Sequence, residues 1–206
     1  MRKYLLFTLG LLICSFGDSM NFKAAIGVTP YEAVQQTANY ATGIKVGTLA
    51  IVTNIIFLVL QFVIKKRITR QMILQFPIVI IQGWLFNVII YTLFANLTLT
   101  YPFRLLFLLG GILLAAIGVG MMVYSGVTMF PLEGFCKALS DKTGWEFSRC
   151  RQGADVILVI SCVLVSFAFS YPYAIREGTV LSALLFAPLM RVTMNALEKR
   201  LEGKTD

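Results

Sequence analysis

The sequence predicts an all-α membrane protein. Its six transmembrane helices form a 3+3 inverted repeat, and each half carries a short amphipathic helix that opens Pro-x-Glu. Three observations carry this expectation. First, the 206 residues are 58% hydrophobic and 14% charged, with a mean hydropathy of +0.80. Soluble domains hold roughly 45–50% apolar and about 25% charged residues, so length here counts spans rather than soluble domains. Second, one stretch occurs twice, as GVTPYEAVQQTANYATG (27–43) and GVTMFPLEGFCKALSDKTG (126–144). Pro30 with Pro131, Glu32 with Glu133, Gly43 with Gly144 and Asn54 with Asp155 all stand 101 positions apart. The Gly-Val-Thr triplets stand 99 apart, so the second copy holds two extra residues, Met129 and Phe130. Third, with the N-terminus inside, 14 of the 18 lysines and arginines fall on inner segments, which places both termini in the cytoplasm. Each half holds three spans, an odd number, so the second half enters the bilayer from the opposite face.

The halves are residues 1–101 and 102–206. The first span is 4–20; a basic start resembles a secretory leader, but no small-x-small cleavage site follows and the run leads straight into the repeat. A short helix at 30–42 precedes spans at 46–64 and 72–94, the former closed by Lys65, Lys66 and Arg67. In the second half a span at 105–124 is rich in Gly110, Gly111, Ala115 and Gly118, small residues that let helix backbones approach closely. A short helix at 131–143, spans at 153–171 and 179–196 and a charged tail at 197–206 complete it. At 1.5 Å per residue each span covers roughly the 30 Å hydrocarbon core, and the short helices do not.

Local chemistry explains the short helices. Proline suits the first helical position because its missing N–H has no partner there. Thr29 and Glu32 make a Thr-x-x-Glu capping box, whereas Phe130 stands at the cap of the second copy. Gly43 and Gly144 permit the left-handed residue that ends each helix. In the first copy Tyr31, Val34, Ala38 and Ala41 line one face and Glu32, Gln35, Gln36 and Asn39 the other. In the second, Leu132, Phe135, Cys136 and Leu139 oppose Glu133, Lys137 and Ser140. The polar faces favour helices lying flat in the interface; the competing reading is a pair of re-entrant half-helices beside a solute path.

Ionisable and polar groups within apolar spans are candidate sites, because lipid does not tolerate them. Candidate solute-binding residues are Asp18, Asn54, Asn87 and Asp155, and candidate gate or cavity-rim residues are Pro30, Glu32, Pro131 and Glu133. The structural alternatives stand beside them. Asp18 would pair with Lys23 near the outer headgroups, Asp155 would pair with Arg151 one turn before it, and Asn87 would bond a neighbouring helix.

The stretches IGVTPYEAV, TGIKVGTLAIVTN and PLEGFCKALSDKTGWEFSRCRQGAD resemble the YczE/YitT-type bacterial integral membrane proteins, with the closer likeness on the YczE side. The resemblance covers almost the whole chain. Glu where Asp is common after the proline, and the inserted Met129-Phe130, depart from that pattern. It implies a six-helix plasma-membrane protein and supplies no catalytic residues.

Function narrows by exclusion. The chain has no histidine, so no His metal site or His proton relay exists, and no enzymatic motif or Gly-rich phosphate loop is present. No cofactor is expected. The net charge of +8 flanks apolar runs and forms no basic domain, which argues against nucleic acid. The reading that remains is a small secondary transporter, not an enzyme, moving an unidentified small solute through a polar cavity between the repeats. The alternative is a membrane-embedded capture or scaffold subunit of a partner complex. The bilayer is the expected partner, and a homodimer or a partner membrane subunit stays open.

Overall fold

The computed structural model describes residues 2–202; Met1 and the last four residues of the charged tail lie outside the described residues. Among the described residues all regular structure is helical. Eight α-helices follow in order: α1 (Arg2–Ala24), α2 (Pro30–Thr42), α3 (Val46–Lys65), α4 (Arg70–Val88), α5 (Tyr101–Ser125), α6 (Pro131–Thr143), α7 (Phe147–Phe169) and α8 (Glu177–Glu202). A π-helical turn, Ile89–Leu93, continues α4. Six helices are long and apolar enough to cross a membrane, with α4 and its π-turn counted as one; α2 and α6, at 13 residues each, are not. The expected tail begins within α8, which runs on to Glu202.

The chain divides into two compact units, and each draws on both sequence halves. The first comprises residues 1–28, 88–128 and 176–206. Its backbone is the antiparallel pair α1 and α5, which meet at glycines. A Cβ built on Gly10 would lie 2.7 Å from the Gly118 carbonyl oxygen, and one on Gly118 would lie 2.5 Å from that of Gly10. Gly17 and Gly111 repeat the contact, each at 2.7 Å from the other's oxygen. Real Cβ atoms do not approach so closely, so the crossing requires glycine on both helices. Ser15 and Ser19 are fully buried because their hydroxyls donate back to the carbonyls of Leu11 (2.8 Å) and Ser15 (2.7 Å). Ala24, Ile26, Leu108 and Ile112 form the apolar core beside α8. The Gly178 N–H donates to the Ile26 carbonyl at 2.8 Å, which ties the start of α8 to the link after α1.

The second unit comprises residues 29–87 and 129–175. Its packing is reciprocal: α2 lies on α3 and α7, and α6 lies on α7 and α3. Phe57, Leu132, Cys136 and Cys150 form a buried core with Tyr31 and Phe135 against it. The Phe57 ring stands 6.1 Å from Tyr31 and 5.6 Å from Phe135, so one α3 side chain joins both short helices.

Candidate functional site

The first short helix is built as its sequence dictates. The Glu32 N–H donates to Thr29 Oγ1 at 3.3 Å, and the Thr29 N–H donates to Glu32 Oε2 at 2.9 Å, closing the capping box. Pro30 occupies the first turn and Gly43 ends the helix at φ 70°. The second copy has no side-chain cap at Phe130, and Gly144 ends it at φ 74°. Two glutamines hold the start of this helix by its carbonyls instead. Gln61 Nε2 donates to the Pro131 carbonyl at 2.9 Å and to Gln75 Oε1 at 3.2 Å, while Gln75 Nε2 donates to the Met129 carbonyl at 2.8 Å. Met129 and Pro131, on either side of Phe130, are thus held by α4 and α3.

The faces of the two short helices turn differently. In α6 the apolar side is buried, with Leu132 and Cys136 in the core and Lys137 exposed and paired with Asp141. In α2 part of the polar face turns into the protein: Glu32 and Gln35 are buried, as is Thr37. Protein from α3 and α7, rather than headgroups, covers that side. The hydrophobic pattern of one helix could not reveal this, because it records amphipathicity and not which face meets protein.

On α6 and α7 three charged side chains converge. Arg151 Nη1 donates to Asp155 Oδ1 one turn along α7, and Arg151 Nε lies 3.6 Å from Glu133 Oε1 on α6. The cluster is partly buried and joins two carboxyl groups to one guanidinium. Burial raises the Glu133 carboxyl above its ordinary value, and this outweighs the opposing attraction of Arg151. Burial likewise pushes the neighbouring Cys136 thiol up to about 12, so it stays neutral and is no nucleophile.

The register equivalents on α2 and α3 differ in one decisive way. Glu32 stands for Glu133 and Asn54 for Asp155, but Ala50 stands where Arg151 does. Glu32 is 4% exposed, and Gln35 and Asn54 are each 2% exposed. Asn54 Oδ1 and Gln35 Nε2 are buried without a hydrogen-bond partner among the described residues. Such a group costs about 1–3 kcal/mol when nothing meets it, which calls for water or a ligand.

The remaining candidates lie elsewhere. Asn87 uses its amide as a cap: its Oδ1 accepts from the Gly47 N–H at 3.0 Å and its Nδ2 donates to Thr48 Oγ1 at 3.1 Å, at the start of α3. Asp18, on α1 in the first unit, accepts from the Cys14 thiol at 3.3 Å. The structure therefore brings Glu133 and Asp155 together through Arg151, and places Glu32 and Asn54 on adjacent helices of the same unit. Sequence reasoning paired Arg151 with Asp155 but missed its reach to Glu133, and missed Gln61 and Gln75 entirely. Their signal was a polar residue inside an apolar run.

Known proteins bear on this arrangement. The chain is similar to the uncharacterized membrane protein YczE of Bacillus subtilis (strain 168). They are 23% identical over 198 residues, covering 90% of this chain and 82% of that one. It is also similar to the uncharacterized protein YyaS of the same organism, 27% identical over 207 residues, covering 98% and 97% of the two chains. No solved structure matches. A model of a family of unknown function, DUF6198, matches residues 1–195, and the chain belongs to that family.

Proposed function

We propose that this protein is a small secondary carrier of the plasma membrane, with inverted repeats and both termini cytoplasmic. One observation carries the proposal. Buried or partly buried polar side chains from both sequence halves, Glu32, Gln35, Asn54, Glu133, Arg151 and Asp155, lie on α2, α3, α6 and α7 of one compact unit, and four of them are ionisable. Such groups inside a membrane protein are costly and mark solute or ion paths.

Two features support the inverted repeat. The reciprocal packing of the short helices is what a two-fold operation relating the halves would produce. Adding 101 converts Gly10 into Gly111 and Gly17 into Gly118, so the same operation exchanges the two glycine contacts of α1 and α5. The orientation follows the positive-inside rule. A reporter fused after Asp206 is expected on the cytoplasmic side, and one inserted between Asn96 and Thr100 on the outer side; the same side for both would overturn the topology.

Transport is tested in proteoliposomes with labelled amines, amino acids, sugars, carboxylates and nucleosides. At least one solute is expected to enter faster than into protein-free vesicles, with Asp155→Asn slowing its entry by about tenfold or more. Entry of every solute at the protein-free rate would end the carrier reading.

A further inference from the structure

We infer that the loop between α3 and α4, with the basic residues at its two ends, binds the headgroups of anionic phospholipids. The inference goes beyond the carrier reading and does not depend on it.

Four of the six residues from Lys65 to Arg70 are basic: Lys65, Lys66, Arg67 and Arg70. Lys65 ends α3 and Arg70 begins α4, two helices long and apolar enough to cross a membrane, so the loop lies at the depth of the headgroups. Lys66, Arg67 and Arg70 are exposed. Among the described residues none of the four makes an ion pair, whereas Lys137, Arg149, Arg151 and Arg176 each do. No aspartate or glutamate occurs in the sequence between Glu32 and Glu133. Glu133, whose neighbour Gly134 lies against Gln61 one turn before Lys65, is taken by Arg151.

Helix chemistry does not account for these cations. Basic side chains at the C-terminus of α3 suit its dipole, but Arg70 stands in the first turn of α4, where a positive charge opposes it. The end of α7 adopts the same left-handed conformation, at Ser170, with no basic residue in its last turn, so charge is not what stops α3. Lys66 itself adopts φ 51°, a conformation in which glycine closes α2, α5 and α6 at less cost. An anion outside the chain satisfies what the helices do not.

The apolar residues select a lipid over a free anion. Ile68 is 69% exposed in the middle of the basic run, and Phe62, Val63 and Ile73 on the flanking turns are 46%, 59% and 62% exposed. A soluble phosphate makes no use of them. With a phospholipid, the phosphate meets the guanidinium and ammonium groups while the acyl chains cover the apolar side chains.

The test uses the full chain purified in detergent and mixed with equimolar phosphatidylglycerol and phosphatidylcholine, the bound lipids being counted by native mass spectrometry. Phosphatidylglycerol is expected to be retained over phosphatidylcholine. Each basic residue near an anionic lipid surface adds roughly fivefold in affinity, so Lys65→Gln, Lys66→Gln, Arg67→Gln and Arg70→Gln together are expected to cut that preference by about tenfold or more. Lys137→Gln, which removes a cation already paired with Asp141, is expected to leave it unchanged. Should the fourfold variant fail to fold, Arg67→Gln with Arg70→Gln decides, with an expected loss of about fivefold or more.

Equal retention of the two lipids, equal preference in wild type and loop variant, or as large a loss in Lys137→Gln would overturn the inference. So would displacement of the lipid by inorganic phosphate more readily than by sodium chloride of the same ionic strength, which would make the loop a site for a soluble anion. Failure of solute uptake leaves the lipid site standing, and a loop without lipid preference leaves the carrier standing.

Discussion

Leucine at Gly118 is expected to abolish the folded protein. A Cβ there would sit 2.5 Å from the Gly10 carbonyl oxygen, and the Cys14 backbone is closer still. These are backbone atoms of a neighbouring helix, so no rotamer change relieves the overlap. Only separation of α1 from α5 does, and that opens the central contact of the first unit. Overpacking of an ordinary core costs about 1–3 kcal/mol. Here the obstruction is rigid, and about 4 kcal/mol or more is expected, a large share of a domain's total stability. Size-exclusion profiles and thermal melting in detergent check this. Gly110→Ala is the internal control: its built Cβ meets only the Met20 Cε, at 3.2 Å, the flexible end of a side chain. If Gly118→Leu melts like Gly110→Ala, the close crossing of α1 and α5 is not what holds the unit.

Removing the guanidinium of Arg151 has the second largest effect. Arg151→Leu leaves Glu133 and Asp155 facing each other in a partly buried site with no counter-charge. Loss of one partner from a buried ion pair costs about 3–5 kcal/mol, and partial exposure puts this case near the lower figure. The pH dependence has a definite sign. Glu133 is raised in the folded protein, so it holds its proton more tightly folded than unfolded. Its contribution to stability is therefore greatest below the ordinary glutamate value and is lost as pH climbs through the raised value. Without Arg151 the rise is larger, and the gap between variant and wild type is expected to widen as pH climbs above the ordinary glutamate value. Adding Glu133→Gln and Asp155→Asn to Arg151→Leu should restore most of the stability and flatten the pH profile. A triple variant as weak as the single one would show that Arg151 acts through packing of its stem instead.

What the sequence could reveal follows from which signals are local. The ends of α2 depend on Thr29, Pro30, Glu32 and Gly43, all within the helix or next to it, so its limits were legible. The six spans were legible for the same reason: lipid imposes an apolar run of fixed length on each. Partners on other helices were not. Asn54 and Asn87 look alike in sequence, each an amide in an apolar span, yet Asn87 caps α3 and Asn54 carries a buried oxygen without a donor among the described residues. Gly10 gave no hint of its role until Gly118 stood against it. The same limit hid the inward polar face of α2, because amphipathicity has a direction only once neighbours are placed.

The interleaving of the two units has a consequence for the order in which the protein is made. Gly10 and Gly17 find their partners at Gly118 and Gly111, each roughly a hundred positions downstream. During synthesis α1 enters the bilayer long before α5 exists. Until then its buried face, with Ser15, Ser19 and Asn21, has no matching surface. The two serines satisfy their own hydroxyls within the helix, but Asn21 lies against Gly111 in the finished unit and has no such local bond among those described. The nascent first half is thus a set of inserted but incomplete helices, and both cores close only as the second half arrives. Each core of this chain therefore closes only when translation delivers its later helices, α5 for α1 and α6 and α7 for α2 and α3.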